Sequence, residues 1–186
     1  MVEFLGVIFA LAYLLLAMVE SRLCWIAAII SSVCYIEVFF SSQLYTESGL
    51  QLFFIVLSVQ GLRRWNSSAS DIPLVTRMSY QQHLTGCALC LVVSAALGTL
   101  LFFTTGAPFA FVDSALTVFS VYTTYLVTEK ILENWLYWIG IDLIAAVLYL
   151  YKGLFLTAGL FFLYVILAAI GYLQWKRTEL TLSDIS

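Results

Sequence analysis

The chain carries very little charge. Only 10% of its 186 residues are charged, with eight Lys and Arg against eleven Asp and Glu. A soluble domain needs more charge to cover its surface, and a nucleic-acid partner needs a basic patch, so the composition excludes both. The chain also has a single histidine and no glycine-rich phosphate loop, which leaves no recognisable catalytic motif. We therefore expect neither an enzyme nor a bound cofactor.

Cysteine is scarce as well. The four cysteines all lie inside apolar stretches: Cys24, Cys34, Cys87 and Cys90. A disulfide framework is therefore not expected. Cys87 and Cys90 have the spacing of a zinc or redox pair, but there is no second pair and the only histidine nearby is His83. We interpret them as small apolar residues of a membrane helix and expect no metal site.

Hydrophobic residues make up 63% of the chain, and the mean hydropathy is +1.02. A bilayer crossing takes roughly 20 apolar residues, and seven runs come close to this length: Val2–Val19, Leu23–Phe40, Leu44–Leu62, Leu84–Phe103, Ala110–Val127, Leu132–Tyr151 and Gly153–Trp175. The third run is the weakest, because it contains Gln51, Ser58 and Gln60, and a re-entrant segment is the alternative for it. The sequence predicts an all-α, polytopic membrane protein with seven transmembrane helices.

Basic residues fall almost entirely on one side of this topology. Seven of them lie in the connections after the first, third, fifth and seventh spans: Arg22, Arg63, Arg64, Arg77, Lys130, Lys176 and Arg177. Only Lys152 lies on the other side. Because cytoplasmic loops collect Lys and Arg, we expect the C-terminus in the cytoplasm and the N-terminus outside.

A shift of 110 residues aligns the first three spans with the last three. The aligned pairs are acidic, aromatic, aliphatic or glycine: Glu3 with Asp113, Trp25 with Trp135, Leu44 with Leu154, Gly49 with Gly159, Gly61 with Gly171 and Trp65 with Trp175. With one span between them the triplets share an orientation, which predicts a 3+1+3 parallel repeat of the kind found in transporters. The alternative is the general similarity of apolar sequences. The predicted domains are a three-helix bundle at 1–65, a cytoplasmic loop and linker helix at 66–109, a second bundle at 110–177 and a cytoplasmic tail at 178–186.

A carboxylate in the middle of an apolar helix indicates a functional site, because a charge inside the bilayer is costly. Asp142 is such a residue. Trp135, Trp138 and Asp142 are spaced i, i+3 and i+7, so they share a helix face, which Tyr149 extends. Indole rings stack on flat heterocycles and attract cations, and a carboxylate accepts hydrogen bonds. The face predicts a site for a flat, cationic or hydrogen-bonding ligand. An interfacial aromatic belt is the alternative for Trp135.

Further acidic and amide residues fall near the predicted outer side. Glu37 is a second carboxylate that we expect to be buried, and Gln51 lies at a similar depth in the third span. With Asp113 and Glu47 they predict an acidic entrance that gathers cations. The alternative for Glu37, Asp113 and Glu47 is that these side chains snorkel at helix ends.

Several stretches resemble the Pnu vitamin transporter family. They are Glu133–Trp138 with Asp142 four residues later, Tyr151–Leu154, Gly171–Trp175, Gln43–Tyr45 with Gln51, and the Asp113–Ser114 pair. The resemblance covers most of the chain and implies a SWEET-like fold of two three-helix bundles joined by a linker helix. It also implies facilitated diffusion of an unphosphorylated vitamin, trapped downstream by a cytoplasmic vitamin kinase, and it adds Asn134 to the substrate-binding residues.

The chain departs from the family at two acids. Where several nicotinamide riboside transporters of the family carry Asn, this chain has Asp142, and Glu37 stands where an apolar residue is common. Both changes favour a cationic ligand. Nicotinamide riboside, the first choice, and thiamine, the substrate of a related branch, are both cations. The protein itself is expected to lie in the lipid bilayer. A membrane receptor or sensor subunit is the alternative of another class. The resemblance places the chain in a bacterial inner (plasma) membrane and leaves open whether it forms a homo-oligomer.

Overall fold

The structure is a computed structural model that describes residues 1–42, 45–66, 75–106 and 108–183. Seven α-helices occupy these residues: α1 Val2–Met18, α2 Leu23–Ser41, α3 Tyr45–Trp65, α4 Tyr80–Thr105, α5 Ala110–Thr128, α6 Asn134–Tyr151 and α7 Phe155–Ser183. The predicted all-α fold with seven helices is therefore confirmed. Residues 67–74 of the predicted loop, the quoted Gln43 and Leu44, and the last three residues of the tail lie outside the described residues.

Most of the described helices have the length and composition of membrane spans. Five of them, α2 and α4 to α7, are long and apolar enough to cross a bilayer. The first helix is apolar but has only 17 residues. The third has 21 residues, but Glu47, Gln51 and Gln60 lower its hydropathy. The third span was the weakest in the sequence for the same reason.

Two helices are six residues longer than the apolar runs that predict them. The fourth begins at Tyr80 because Ser79 and Gln82 form a capping box, in which the Ser79 backbone N–H donates to Gln82 Oε1 at 2.8 Å. Such a box satisfies backbone donors that the first turn leaves unpaired. The seventh continues to Ser183, since no glycine or proline follows Trp175 to end it.

The chain divides into two compact units. The first unit contains Met1–Thr76, Thr124–Leu132 and Gly171–Ser186, and the second contains Arg77–Thr123 and Glu133–Ile170. Each unit is held by its own contacts, described below. The domain boundaries at 65, 109 and 177 stay a prediction.

In the first unit, α2 packs against both α1 and α3. Ser31 Oγ donates to the Gly6 carbonyl at 2.9 Å, which joins α2 to α1. The side chain of Trp25 is fully buried, with its ring centroid 5.9 Å from that of Tyr13 and 5.3 Å from that of Trp65. Three aromatic rings from three helices thus form the core of this unit.

The turns that end α1 and α5 have the same backbone geometry. Glu20 and Lys130 have φ angles of 54° and 53°, a left-handed backbone conformation that residues other than glycine rarely adopt. The same pair of backbone hydrogen bonds closes each turn: Glu20 to Ala17 and Ser21 to Leu16 after α1, and Lys130 to Val127 and Ile131 to Leu126 after α5. These bonds satisfy carbonyls at the helix ends. The two turns are 110 residues apart, which equals the shift of the predicted repeat; the repeat itself stays a prediction.

In the second unit, glycines on α4 let α5 approach closely. A Cβ on Gly98 would lie 3.0 Å from the Phe111 Cα, and a Cβ on Gly86 would lie 2.7 Å from Tyr122 Cζ. Small residues allow this approach in membrane helices, where packing rather than the hydrophobic effect drives association. The close approach places α4 and α5 beside each other in this unit.

Candidate functional site

The predicted binding face lies on α6, and the burial of its side chains follows one stripe. Trp135 is 1% exposed and Asp142 is 7% exposed, while Trp138 and Tyr149 are half-buried. The residues on the opposite face, Leu136, Leu143, Ile144, Val147 and Leu150, are exposed. The buried face of α6 is therefore the same helix face that the spacing of these residues predicts. Asn134, the first residue of α6, is fully buried below the same stripe.

Asp142 is the chemically distinctive residue of this face. It lies eight residues from the start of α6 and nine from its end, which places it roughly 12 Å from either end of the helix. Within the described residues it makes no hydrogen bond and no ion pair. A buried carboxylate without a partner is costly, and a cationic or hydrogen-bonding ligand would remove that cost.

Buried hydroxyl groups occur on the neighbouring helices of the same unit. Ser94 on α4 is 4% exposed, and Ser114 and Thr123 on α5 are 1% and 0% exposed. Their side-chain oxygens have no hydrogen-bond partner within the described residues. Such groups are normally satisfied, so this unit holds several polar groups that a bound ligand or water could satisfy.

The other end of α6 carries aromatic rings and one ion pair. The Tyr149 ring stacks on Phe161 of α7, with centroids 5.2 Å apart. Lys152 Nζ lies 3.8 Å from Asp113 Oδ1, 5.7 Å from the centroid of Tyr149 and 5.2 Å from that of Phe109. The charge of Asp113 is thus partly balanced by the one basic residue that falls on the predicted outer side.

The predicted burial of Glu37 is wrong. Its side chain is exposed and accepts a hydrogen bond from Ser41 Oγ at 3.2 Å. Val33 and Phe40 share its helix face and are 54% and 61% exposed, whereas the buried stripe of α2 contains Trp25 and its neighbours on the other face. The apolar sequence on both sides of Glu37 concealed this difference, so its place at the outer approach stays a prediction.

The two remaining predicted residues of the third span lie in the first unit. Gln51 is half-buried on α3, and Glu47 is exposed in the first turn of the same helix. Both stay predictions as contributors to the substrate path.

Sequence reasoning missed a polar cluster in the second unit. The Tyr137 hydroxyl lies 2.9 Å from His83 Nδ1 and 3.3 Å from Cys87 Sγ, and its ring meets Tyr122 edge-on with centroids 5.7 Å apart. The cluster joins α4, α5 and α6. The signal was the i, i+4 spacing of His83 and Cys87, which places them on one helix face.

Comparison with known proteins finds a transporter family and several similar transporters. The family model described as nicotinamide mononucleotide transporter matches residues 1–177. Two proteins named nicotinamide riboside transporter PnuC, from Escherichia coli (strain K12) and Shigella flexneri, are each 25% identical over 201 residues, covering 94% of this chain and 84% of theirs. A crystal structure of the vitamin B3 transporter PnuC matches with a TM-score of 0.73 and 17% identity, over 96% of this chain and 81% of that chain. The structural likeness establishes a shared fold.

Proposed function

The chain belongs to the nicotinamide mononucleotide transporter family, and on that premise we propose that it mediates facilitated uptake of an unphosphorylated, cationic B-vitamin precursor, with nicotinamide riboside as first choice. The family and the seven helices agree with the sequence-based resemblance to the Pnu vitamin transporters. The proposed location is a bacterial inner membrane, with the N-terminus outside and the C-terminus in the cytoplasm.

The observation that carries this proposal is the buried carboxylate of Asp142, which has no partner among the described residues and shares its face with two tryptophans. A pyridinium ring is flat and positively charged, so it can stack on Trp135 and Trp138 while its charge balances Asp142. Asn134 and Gln51 would donate or accept hydrogen bonds at the carboxamide and ribose, and Tyr149 would close the aromatic face. Glu37 and Asp113 would line the outer approach.

The charges of the buried residues favour the riboside over the mononucleotide in the family's name. The mononucleotide carries an added phosphate, which binds best to Arg, Lys or a helix N-terminus. Among the described residues Lys130 is the one buried cation, and Glu20 Oε2 lies 2.8 Å from its Nζ. A phosphate at Asp142 would instead add repulsion, so we expect a downstream cytoplasmic vitamin kinase to phosphorylate the vitamin after entry and thereby trap it.

Transport would follow alternating access, in which two three-helix bundles rock about one site near the midplane. The matched turns at Glu20 and Lys130 support the 3+1+3 repeat that such rocking needs. Thiamine is the second candidate, because it is also a flat cation and a carboxylate can accept from its amino group.

The decisive experiment is uptake into vesicles that contain the purified protein alone. We expect labelled nicotinamide riboside to enter and to equilibrate without an energy source, and the mononucleotide to be excluded. Binding without uptake would favour the receptor alternative, and thiamine uptake without riboside uptake would favour the thiamine branch.

The role of Asp142 is tested by comparing the cationic riboside with its neutral, reduced form. A carboxylate about 6 Å from the ring charge contributes roughly 1 to 3 kcal/mol at an effective dielectric of about 20. Asp142→Asn should therefore lower the ratio of the affinity for the cationic riboside to that for the reduced form by about tenfold or more. Glu3→Gln, which changes an exposed carboxylate, is the control. An unchanged preference in Asp142→Asn would show that this carboxylate does not face the ligand.

A further inference from the structure

The two left-handed turn residues of the first unit pair with each other. Lys130 Nζ lies 2.8 Å from Glu20 Oε2, and the Lys130 side chain is 7% exposed. The residues are 110 positions apart, so the predicted repeat makes them equivalent. A contact between equivalent residues of two repeats must lie close to the axis that relates them. The C-terminal ends of α1 and α5 therefore meet at this pair.

Two equivalent tryptophans reinforce the same contact. Trp65 Nε1 donates to the Thr128 carbonyl of α5 at 3.2 Å, and Trp175 Nε1 donates to the Ala17 carbonyl of α1 at 3.0 Å. Each tryptophan thus bonds to the helix end of the other predicted repeat. The two rings are 6.0 Å apart, and Lys130 Nζ lies 4.8 Å from the centroid of the Trp65 ring.

We propose that Glu20, Lys130, Trp65 and Trp175 form an ionic latch that holds the ends of α1, α3, α5 and α7 together and opens during transport. Under alternating access these contacts have to break once in every transport cycle, at helix ends that the basic residues assign to the cytoplasmic side. This inference rests on the proposed transport function. It names the contacts that alternating access has to break.

The closed latch contains features that limit its stability. Glu20 and Lys130 both hold a backbone conformation that is strained for residues with a Cβ. Within the described residues, the buried Trp25 Nε1 and Gln174 Oε1 of the same unit have no hydrogen-bond partner. Water could reach these groups once the helix ends separate, which would offset part of the loss of the ion pair. Such a balance suits a contact that opens in every cycle.

The test measures how fast Cys24 reacts with a maleimide added on the side of the membrane where the C-terminus is expected. Cys24 is fully buried and is next to Trp25 in the chain. In a variant that keeps Cys24 as the single cysteine, a membrane-impermeant maleimide should label it slowly. Removing one latch charge by Lys130→Gln or Glu20→Gln should raise the labelling rate on the order of tenfold, because a buried charge loses its partner.

Two further variants separate the latch from a loss of folding. Glu20→Lys combined with Lys130→Glu restores the pair, since the same left-handed conformation accommodates a Glu in one turn and a Lys in the other. This exchange should return labelling to the original rate. Glu20→Gln combined with Lys130→Met leaves no uncompensated charge, so it should fold and still label fast. Arg64→Gln is the control, because its partner Glu129 lies at the same helix ends but Arg64 is 48% exposed.

Substrate dependence distinguishes a latch from a static ion pair. Nicotinamide riboside should raise Cys24 labelling in the otherwise unchanged protein and should not do so in the Trp138→Ala variant. The latch is overturned if single-charge variants label at the original rate, if the exchanged pair does not restore protection, or if riboside is transported without any change in labelling. Absence of riboside uptake would instead refute the proposed function, and the labelling of the charge variants would still decide whether the contact opens.

Discussion

Gly61 on α3 leaves room for the ring of Trp25, and its replacement by alanine should destabilise the protein. A Cβ at this position would lie 2.6 Å from Trp25 Cδ2 and closer still to two other ring atoms. The indole has little freedom to move away, because it is fully buried between Tyr13 and Trp65. Overpacking of this kind costs about 1 to 3 kcal/mol, and we expect the upper part of that range. Alanine recovers up to about 1 kcal/mol of helix propensity, so the net loss is about 2 kcal/mol.

The assay is thermal unfolding of the purified protein in detergent. A loss of about 2 kcal/mol should lower Tm by roughly 4 to 8 °C for a chain of this length. Gly140→Ala is the matched control, since a Cβ there would have no atom within 4 Å and should leave Tm unchanged or raise it. Trp25→Phe in the Gly61→Ala background should recover part of the loss, because the smaller ring lacks the clashing atoms. Equal Tm values for Gly61→Ala and Gly140→Ala would refute the steric argument.

Two further predictions concern the substrate path. Trp138→Ala should weaken riboside binding, measured by titration calorimetry, by roughly 1 to 3 kcal/mol, the scale of a desolvated stacking contact. Leu136→Ala, on the exposed face of α6, is the control. Equal affinities in the two variants would contradict stacking. Asp113→Asn should slow the initial uptake of the cation at low salt and Lys152→Gln should speed it, because the two side chains form an ion pair with a separation of 3.8 Å. Both effects should shrink in high salt. If both variants changed the initial uptake rate in the same direction, electrostatic steering would be excluded.

The helices were predictable because membrane spans need little information beyond hydropathy. Each of the seven apolar runs became a helix, since a backbone in lipid has to satisfy its own hydrogen bonds. The predicted helix bounds differ from the observed ones at the helix ends, because local polar residues decide where a helix begins or stops. The Ser79–Gln82 capping box moves the start of α4 to Tyr80, outside the apolar run. Such a box is visible in the sequence as Ser-x-x-Gln, but hydropathy alone does not register it.

The candidate site was predictable only where one helix carries it. Trp135, Trp138 and Asp142 share a face by spacing alone, and the structure buries or half-buries all three. The burial of Glu37 was predicted wrongly because α2 is apolar on both faces, so periodicity does not show which face packs against protein. The pairing of Lys130 with Glu20 was also missed, because it depends on a contact between two turns that lie far apart in the chain.

The two buried charges of the described residues illustrate how a membrane protein uses ionisable groups. Lys130 has Glu20 as its partner at 2.8 Å, whereas Asp142 has none in the described part of the chain. A paired charge can be exchanged with its partner and keep the fold, but an unpaired one needs a ligand to balance it. The first arrangement suits a contact that opens and closes, and the second suits a site that is filled and emptied. A carrier needs both, and this chain provides one of each in different compact units.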